Sequence, residues 1–156
     1  MSAPVFDDTT PGPPRRLFLA AGFAALAAGG AVALGILGQI TAPESASFRF
    51  ARGTTFAAGE EDRLRGYLVQ AANDDRLSVV ITGHSGTSGD AEANRALSTE
   101  RANLAAAIAA EMGIEASRVS AAGIGGGAPL SQNSDESDRA FQARLARVDI
   151  SLQVRR

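Results

Sequence analysis

The sequence predicts an α+β fold, a two-layer sandwich in which helices cover one face of a small mixed sheet, preceded by a single transmembrane helix. Two observations lead to this prediction. Residues 17–40 form one uninterrupted apolar run, and the rest of the chain alternates strand-like and helix-like patterns in the order β-α-β-α-β-β. Such alternation is typical of helices packed against one sheet. We therefore divide the chain into four parts: a tail (1–16), a transmembrane helix (17–40), a linker (41–47) and a folded domain (48–156).

The apolar run is long enough to cross a membrane. It reads LFLAAGFAALAAGGAVALGILGQI and contains no charged residue, whereas about 20 apolar residues suffice for a hydrocarbon core. Arg15 and Arg16 precede it, and the first charged residue after it is Glu44. Because basic residues favour the cytoplasmic side, we expect a cytoplasmic N-terminus and a lipid bilayer as a partner. A cleaved signal peptide is the alternative, but the length of the run favours a retained anchor, since signal cores span about 7–15 residues.

The composition argues against several classes of function. The chain has 15 Lys and Arg against 17 Asp and Glu, a formal net charge of −2, so we expect no nucleic-acid partner. It has no cysteine and one histidine, His84, which is too few ligands for a metal site. His84 adjoins Ser85, but no third residue is placed to orient it as a catalytic base. We therefore expect no metal, no cofactor and no enzymatic activity.

Each element of the folded domain is predicted by its own pattern. Phe48, Phe50 and Phe56 suggest a first strand with a bend, and residues 77–82 (LSVVIT) read as a buried strand. The final segment, from Arg147, alternates apolar and polar residues as a half-buried strand does. The remaining predicted elements are helices at 60–72 and 91–112, a short strand at 118–123 and a helical turn or two at 138–145.

Two glycine-rich loops follow strands of the predicted sheet. Residues 83–89 (GHSGTSG) lead into the long helix, for which Asp90 is a good N-cap. Residues 123–127 (GIGGG) resemble a phosphate loop, but Ala128 and Pro129 follow instead of a lysine and a helix. This context does not fit nucleotide binding, so we interpret the second run as a flexible loop.

Three segments, taken in order, resemble the OmpA-like domain family. The loop 83–89 is similar to that family's G-H-T-D-x-x-G motif, and Asn94, Leu97-Ser98 and Arg101-Ala102 match the N-x-x-L-S-x-x-R-A spacing of its following helix. The similarity to the family continues at four short segments: Gly113-Ile114, Arg118-Val119, Gly123-Ile124-Gly125 and Pro129. It ends at Arg147-Val148-Asp149-Ile150, which resembles the end of the family's N-R-R-V-E-I motif.

The resemblance implies a protein that binds peptidoglycan without reacting with it. In that family the loop Asp takes the ammonium of diaminopimelate in the stem peptide, and the helix Arg takes the carboxylate. Arg101 matches that Arg, and a guanidinium can hold a carboxylate through two charge-assisted hydrogen bonds. The peptidoglycan-binding residues implied by the resemblance are Arg101, Asn94, Ser85, Thr87, Asp90 and Arg147.

This chain departs from the family pattern at the loop Asp, where it has Gly86. The ammonium loses its partner, which predicts weakened diaminopimelate recognition. Asp90 is a candidate substitute, although capping the helix is its more ordinary role. An acidic patch in a later loop is a second candidate, with a solvated surface as the alternative; its members are Asp135, Glu136 and Asp138.

The last motif is also altered. Leu145 and Ala146 stand where the family has Asn-Arg, so Arg147 alone remains. Gln142 with Arg144 is the alternative match, displaced by a small insertion.

Two functions follow from the sequence and the resemblance. The first is an inner-membrane tether of a Gram-negative envelope, with its C-terminal domain in the periplasm and the peptidoglycan stem peptide as its ligand. The alternative is a periplasmic scaffold that uses the same fold to contact envelope protein partners, which the short linker favours because it holds the domain near the membrane. If the apolar run is cleaved, we expect a periplasmic or outer-membrane location instead.

Overall fold

The computed structural model describes residues 44–155, which lie within one compact unit spanning residues 40–156. The predicted tail and transmembrane helix lie outside the described residues. Within residues 44–155, none of the helices combines the length and the apolarity that a membrane crossing requires. The described elements are β1 (Glu44–Arg52), β2 (Thr55–Phe56), α1 (Glu60–Asn73), β3 (Leu77–Gly83), α2 (Ala91–Glu111), a 3-10 turn (Ala116–Arg118), β4 (Val119–Gly123), α3 (Asp138–Leu145) and β5 (Arg147–Val154).

The strands form one mixed sheet in the order β2-β1-β5-β3-β4. β3 and β4 run parallel, whereas β1 with β2, β1 with β5 and β3 with β5 run antiparallel. The predicted α+β class and mixed sheet are confirmed. The predicted order held one strand too few, because the bend between Phe50 and Phe56 is a hairpin whose two strands pair with each other.

β1 begins earlier than the apolar pattern of the sequence predicts. Glu44 is paired with Leu152 and Ser47 with Asp149, so residues 44–47 are strand rather than linker. The reason is tertiary, because β5 offers hydrogen-bonding partners along its full length and a polar segment such as ESAS can take them without an apolar pattern of its own.

One continuous apolar core joins the sheet to α1 and α2. β5 contributes every second residue to it, as the alternation of its sequence predicted. The largest core residues are Phe48, Leu64, Leu68, Val79, Ile81, Val148 and Ile150, each no more than 1% exposed. Leu145 of α3 is also fully buried.

The position of α2 depends on two glycines at the ends of parallel strands. A Cβ at Gly83 would lie 1.9 Å from the carbonyl oxygen of Ser98, and a Cβ at Gly123 would lie 2.2 Å from the amide nitrogen of Thr99. Both distances are far inside van der Waals contact. The first half of α2 therefore lies directly on the ends of β3 and β4, where the glycine-rich loops begin.

Candidate functional site

The loop between β3 and α2 is fixed at both of its ends. At its start the amide of His84 donates to the carbonyl of Arg147, and the amide of Ser85 donates to the carbonyl of Gly125. At its end the side chain of Asp90 accepts a 2.7 Å hydrogen bond from the amide of Ala93. Asp90 therefore caps α2, as predicted, and that bond directs its carboxylate into the helix end.

A cavity of about 380 Å³ opens between this loop, the first turn of α2 and the second glycine-rich loop. Thr87 and Asn94 line it, so the structure brings two of the predicted site residues together. Arg101, Ser85, Asp90 and Arg147 do not line it. The complete lining is Gly86, Thr87, Gly89, Ala91, Asn94, Arg95, Ile124, Gly125, Gly126 and Gly127.

Arg101 is almost completely buried, with 3% of the residue exposed. Its Nε donates to the carbonyl of Gly53 over 2.7 Å, and its Nη1 donates to the carbonyl of His84 over 2.8 Å. The guanidinium carbon lies 5.0 Å from the centre of the Phe50 ring, within cation–π range. Burial lowers the pKa of Arg101, although a guanidinium stays charged at neutral pH.

The other two buried arginines are ion-paired, whereas Arg101 forms no ion pair with any residue in the described range. Arg118 lies 3.0 Å from a carboxylate oxygen of Asp75, and Arg147 lies 3.1 Å from one of Asp149. Arg118 also donates to three carbonyls of the α1 end and the β3 start, those of Ala71, Asp74 and Leu77. A buried cation held by neutral carbonyls alone can still accept an anionic partner.

Three predicted residues shape the loop by their hydrogen bonds. The side-chain Nδ2 of Asn94 donates to the carbonyl of Ser88 over 2.9 Å. Ser85 is 2% exposed, and its hydroxyl donates to the carbonyl of Gly86 rather than to His84. Thr87 is bound through its backbone and its hydroxyl to the side chain of Gln142 on α3. These contacts fix the shape of the cavity wall.

Arg147 belongs to a polar cluster centred on Asp149. Asp149 accepts a 2.5 Å hydrogen bond from the hydroxyl of Ser47 and two 3.1 Å bonds from Nε of Arg147. Nε2 of His84 lies 2.9 Å from the same carboxylate, at an ion-pair distance but without hydrogen-bond geometry. This cluster joins β1, β5 and the start of the loop, and it lies apart from the lining of the cavity.

Burial and the neighbouring groups have opposite effects on the pKa of Asp149. Burial by itself raises the pKa of this carboxyl, but the contact with His84, the hydrogen bond from Ser47 and the charge of Arg147 outweigh it. The pKa of Asp149 is therefore below its usual value, and the carboxylate is ionised at neutral pH.

The acidic patch 135–138 does not supply a carboxylate to the cavity. Glu136 is bound by Arg144 through two hydrogen bonds of 2.7 and 2.9 Å. The hydrogen bond from Arg144 is the main reason that the pKa of Glu136 is lowered. Asp138 accepts from the side chain of Gln132. No residue of the patch is part of the cavity lining.

Sequence reasoning missed three features of the site. Arg95 lines the cavity, because it lies one residue after Asn94 on the first turns of α2. Gly125 to Gly127 form the opposite wall rather than a free loop, and the carbonyl of Gly86 lies 2.8 Å from where a Cβ of Gly126 would be. Gln142 was noted only as a displaced motif residue. Its contact with Thr87 spans 55 positions of the sequence, so no local pattern reveals it.

Comparisons with known proteins identify the family and the fold of the chain. The profile of the OmpA family matches residues 50–143. The fold is similar to that of the peptidoglycan-associated lipoprotein from Burkholderia pseudomallei, at 21% identity and a TM-score of 0.59, over 69% of this chain and 89% of that one.

Two further solved structures are similar. A putative MotB-like protein from Desulfovibrio vulgaris has 23% identity and a TM-score of 0.56, over 72% of this chain and 74% of that one. The OmpA-like domain of FopA1 from Francisella tularensis has 19% identity and a TM-score of 0.56, over 72% and 75% of the two chains. No curated protein matches the chain significantly.

Proposed function

Because the chain belongs to the OmpA family, whose domains are non-enzymatic envelope modules, we propose that it holds peptidoglycan through the carboxylate of a stem-peptide residue. The resemblance of the loop and helix motifs supports this ligand, as does the similarity to a peptidoglycan-associated lipoprotein. The chain then acts by binding alone and joins the cell wall to whatever anchors its N-terminal part.

The observation that carries this proposal is the buried guanidinium of Arg101. It has neutral carbonyl partners and no carboxylate within the described residues, whereas the comparably buried Arg118 and Arg147 each have one. Burying a cation without a counter-ion is costly. We infer that a carboxylate from outside the chain is the counter-ion of this cation, which lies behind the loop between β3 and α2.

The charge of the cavity lining predicts which charged group of diaminopimelate is recognised, the carboxylate or the ammonium. Its lining contains the cation Arg95 and no acidic side chain, and position 86 carries no carboxylate. We infer that the ligand carboxylate provides the recognition and that the ammonium contributes little. A missing charge-assisted bond of about 1.5–3 kcal/mol corresponds to roughly tenfold to more than a hundredfold weaker binding than in a site that keeps the Asp.

Calorimetry with three soluble muropeptides tests this assignment. One has free diaminopimelate, the second has its side-chain ammonium acetylated, and the third has its carboxylate amidated. The full chain, purified in mild detergent, should bind the first two alike and the third roughly tenfold or more weakly. Stronger dependence on the ammonium than on the carboxylate would contradict the proposal.

Retention on purified sacculi tests the role of Arg101 itself. We expect Arg101→Ala to abolish retention and the exposed Arg139→Ala, a change of the same charge, to leave it intact. Equal retention of both variants would show that Arg101 does not contribute to binding. Circular dichroism confirms that each variant is folded before binding is compared.

The alternative is a periplasmic scaffold that contacts envelope proteins. The 3% exposure of Arg101 favours it, since the turn at Gly53 and the loop at His84 already occupy two of its donors. If the wild-type chain is not retained on sacculi at all, the scaffold is the better account. Crosslinking of envelope proteins in living cells would then identify its contacts.

We further propose that residues 17–40 anchor the chain in the inner membrane, with residues 48–156 in the periplasm. The apolar run and the preceding Arg15 and Arg16 support this topology. The chain has no cysteine, so Ser2→Cys and Ser131→Cys each give one reporter thiol. A membrane-impermeant maleimide applied to cells with a permeable outer membrane should label only the second. The intact mass of the protein purified from cells would show whether the apolar segment has been cleaved off.

A further inference from the structure

The side chain of Gln142 lies where the substituent of Gly86 would stand. A Cβ built on Gly86 would be 2.5 Å from Oε1 of Gln142, too close for any real contact. Gly86 does not have a positive φ, so its backbone alone would accept other residues. The space above this glycine is therefore filled from another element, the helix α3.

The carboxamide of Gln142 binds Thr87 twice. Its Oε1 accepts from the amide of Thr87 over 2.9 Å, and its Nε2 donates to the hydroxyl of Thr87 over 2.9 Å. A carboxamide can do both because it has a donor and an acceptor side by side. The two bonds close a ring between α3 and the loop at the rim of the cavity.

The helix α3, which carries this carboxamide, is itself fixed by several contacts. Leu145, one turn further on, is fully buried, and Ser137 caps the start of the helix by accepting from the amide of Ala140. Arg144 ties the helix to Glu136 and to the carbonyl of Ser131. Moving the carboxamide aside for a side chain at position 86 would break both of its hydrogen bonds to Thr87.

We propose that Gln142 is a positioning residue of the ligand site, which holds residues 86–88 in place of a side chain at position 86 and excludes a carboxylate there. Gly86 and Gln142 then form one coupled unit. The neutral carboxamide also determines selectivity, because it places an uncharged acceptor where a negative charge would attract an ammonium. The selectivity part rests on the proposed function, whereas the coupling does not.

A double-mutant cycle on the full chain tests the coupling. Gly86→Asp in the wild-type background should lower the Tm by roughly 5 °C or more, because the new side chain collides with the carboxamide. The same substitution in Gln142→Ala should lower the Tm by less than half as much, because the collision is gone. Equal losses in the two backgrounds would overturn the proposal, whatever the chain binds.

Amide hydrogen exchange gives a readout at the loop itself. Gln142→Ala should speed exchange at the Thr87 amide by roughly tenfold or more, because its acceptor is lost. Gln132→Ala is the matched control, since Gln132 bonds only within residues 132–138, and it should leave the Thr87 amide unchanged. Unchanged exchange at Thr87 in Gln142→Ala would overturn the positioning role.

Gln142→Glu tests selectivity with almost no change of shape. The new carboxylate stands at the place of the missing charge, so affinity for the muropeptide with free diaminopimelate should rise roughly tenfold, and acetylating its ammonium should remove the gain. If the wild-type chain binds muropeptides through Arg101 but Gln142→Glu gains nothing, the selectivity role is wrong while the proposed function stands. If no variant binds muropeptide and the stability coupling is present, the proposed function fails instead.

Discussion

Nη1 of Arg101 donates a 2.8 Å hydrogen bond to the carbonyl oxygen of His84. This bond joins α2 to the start of the loop between β3 and α2, and with the bond to Gly53 it connects the β1–β2 turn as well. Within the described part of the chain the guanidinium has carbonyl partners only. Arg101 thus connects α2 to both of these loops.

Replacing Arg101 by Met should leave the free energy of unfolding within about 1 kcal/mol of wild type, because an apolar side chain of similar volume removes a buried unneutralised charge. The equivalent Arg118→Met should cost about 2–4 kcal/mol, since Arg118 satisfies three carbonyls and a carboxylate. Urea unfolding of both variants measures the difference. If Arg101→Met is as destabilising as Arg118→Met, Arg101 is structural and not reserved for a ligand.

Asp149 makes stability fall in acid. Because its pKa in the folded state is below the ordinary value of 3.8, its contribution is present above pH 3.8 and is lost as the pH falls through the lower folded value. Asp149→Asn should lower the Tm at neutral pH and flatten its decline below about pH 4. Thermal unfolding from pH 7 to pH 2 measures both effects, with Asp135→Asn as an exposed control. Parallel declines in wild type and Asp149→Asn would contradict this account.

Asp90→Ala separates helix capping from ligand binding. Loss of the bond to the amide of Ala93 should cost about 0.5–2 kcal/mol of stability. Muropeptide affinity should stay the same under conditions where the variant is folded, because the carboxylate serves the helix end. An affinity loss that depends on the ligand ammonium would show instead that Asp90 replaces the missing carboxylate at position 86.

Two glycine-to-alanine substitutions should change the free energy of unfolding in opposite directions. Gly83→Ala places a methyl against the carbonyl of Ser98 and should cost at least about 1–3 kcal/mol. Gly66→Ala lies in α1 with nothing within 4 Å of the new methyl, and it should stabilise the protein by about 0.5–1 kcal/mol through helix propensity. Denaturant midpoints of the two variants measure this. A neutral Gly83→Ala would mean that α2 shifts freely over the strand ends.

Much of the fold could be predicted from local pattern. The final strand and the long helix from Ala91 appear close to where periodicity and capping placed them, and the predicted helical turns at 138–145 form the helix α3. The start of β1 and the strand β2 could not be placed, because Glu44 and Thr55 are in strands only through their pairing with Leu152 and Arg52. A polar or very short strand has no hydrophobic alternation to reveal it.

The site was predicted less completely. The resemblance supplied Asn94 and Thr87, which line the cavity, and Arg101, which lies buried behind the loop. It gave no sign that Arg101 has no carboxylate partner among residues 44–155 or that Gln142 fills the place of the missing side chain. Both facts concern which groups meet across the fold, and one-dimensional spacing does not contain them.

The sequence by itself determined the order of elements, the loop and helix motifs, the glycine at position 86 and the absence of cysteine, since each is a matter of residue type and local period. Only the tertiary structure decided what stands above that glycine and what faces the guanidinium of Arg101. The physical reason is that burial and close packing bring together side chains far apart in the chain, such as Thr87 and Gln142. Because packing is close there, a Cβ at position 86 and the carboxamide of Gln142 cannot both occupy the space above Gly86.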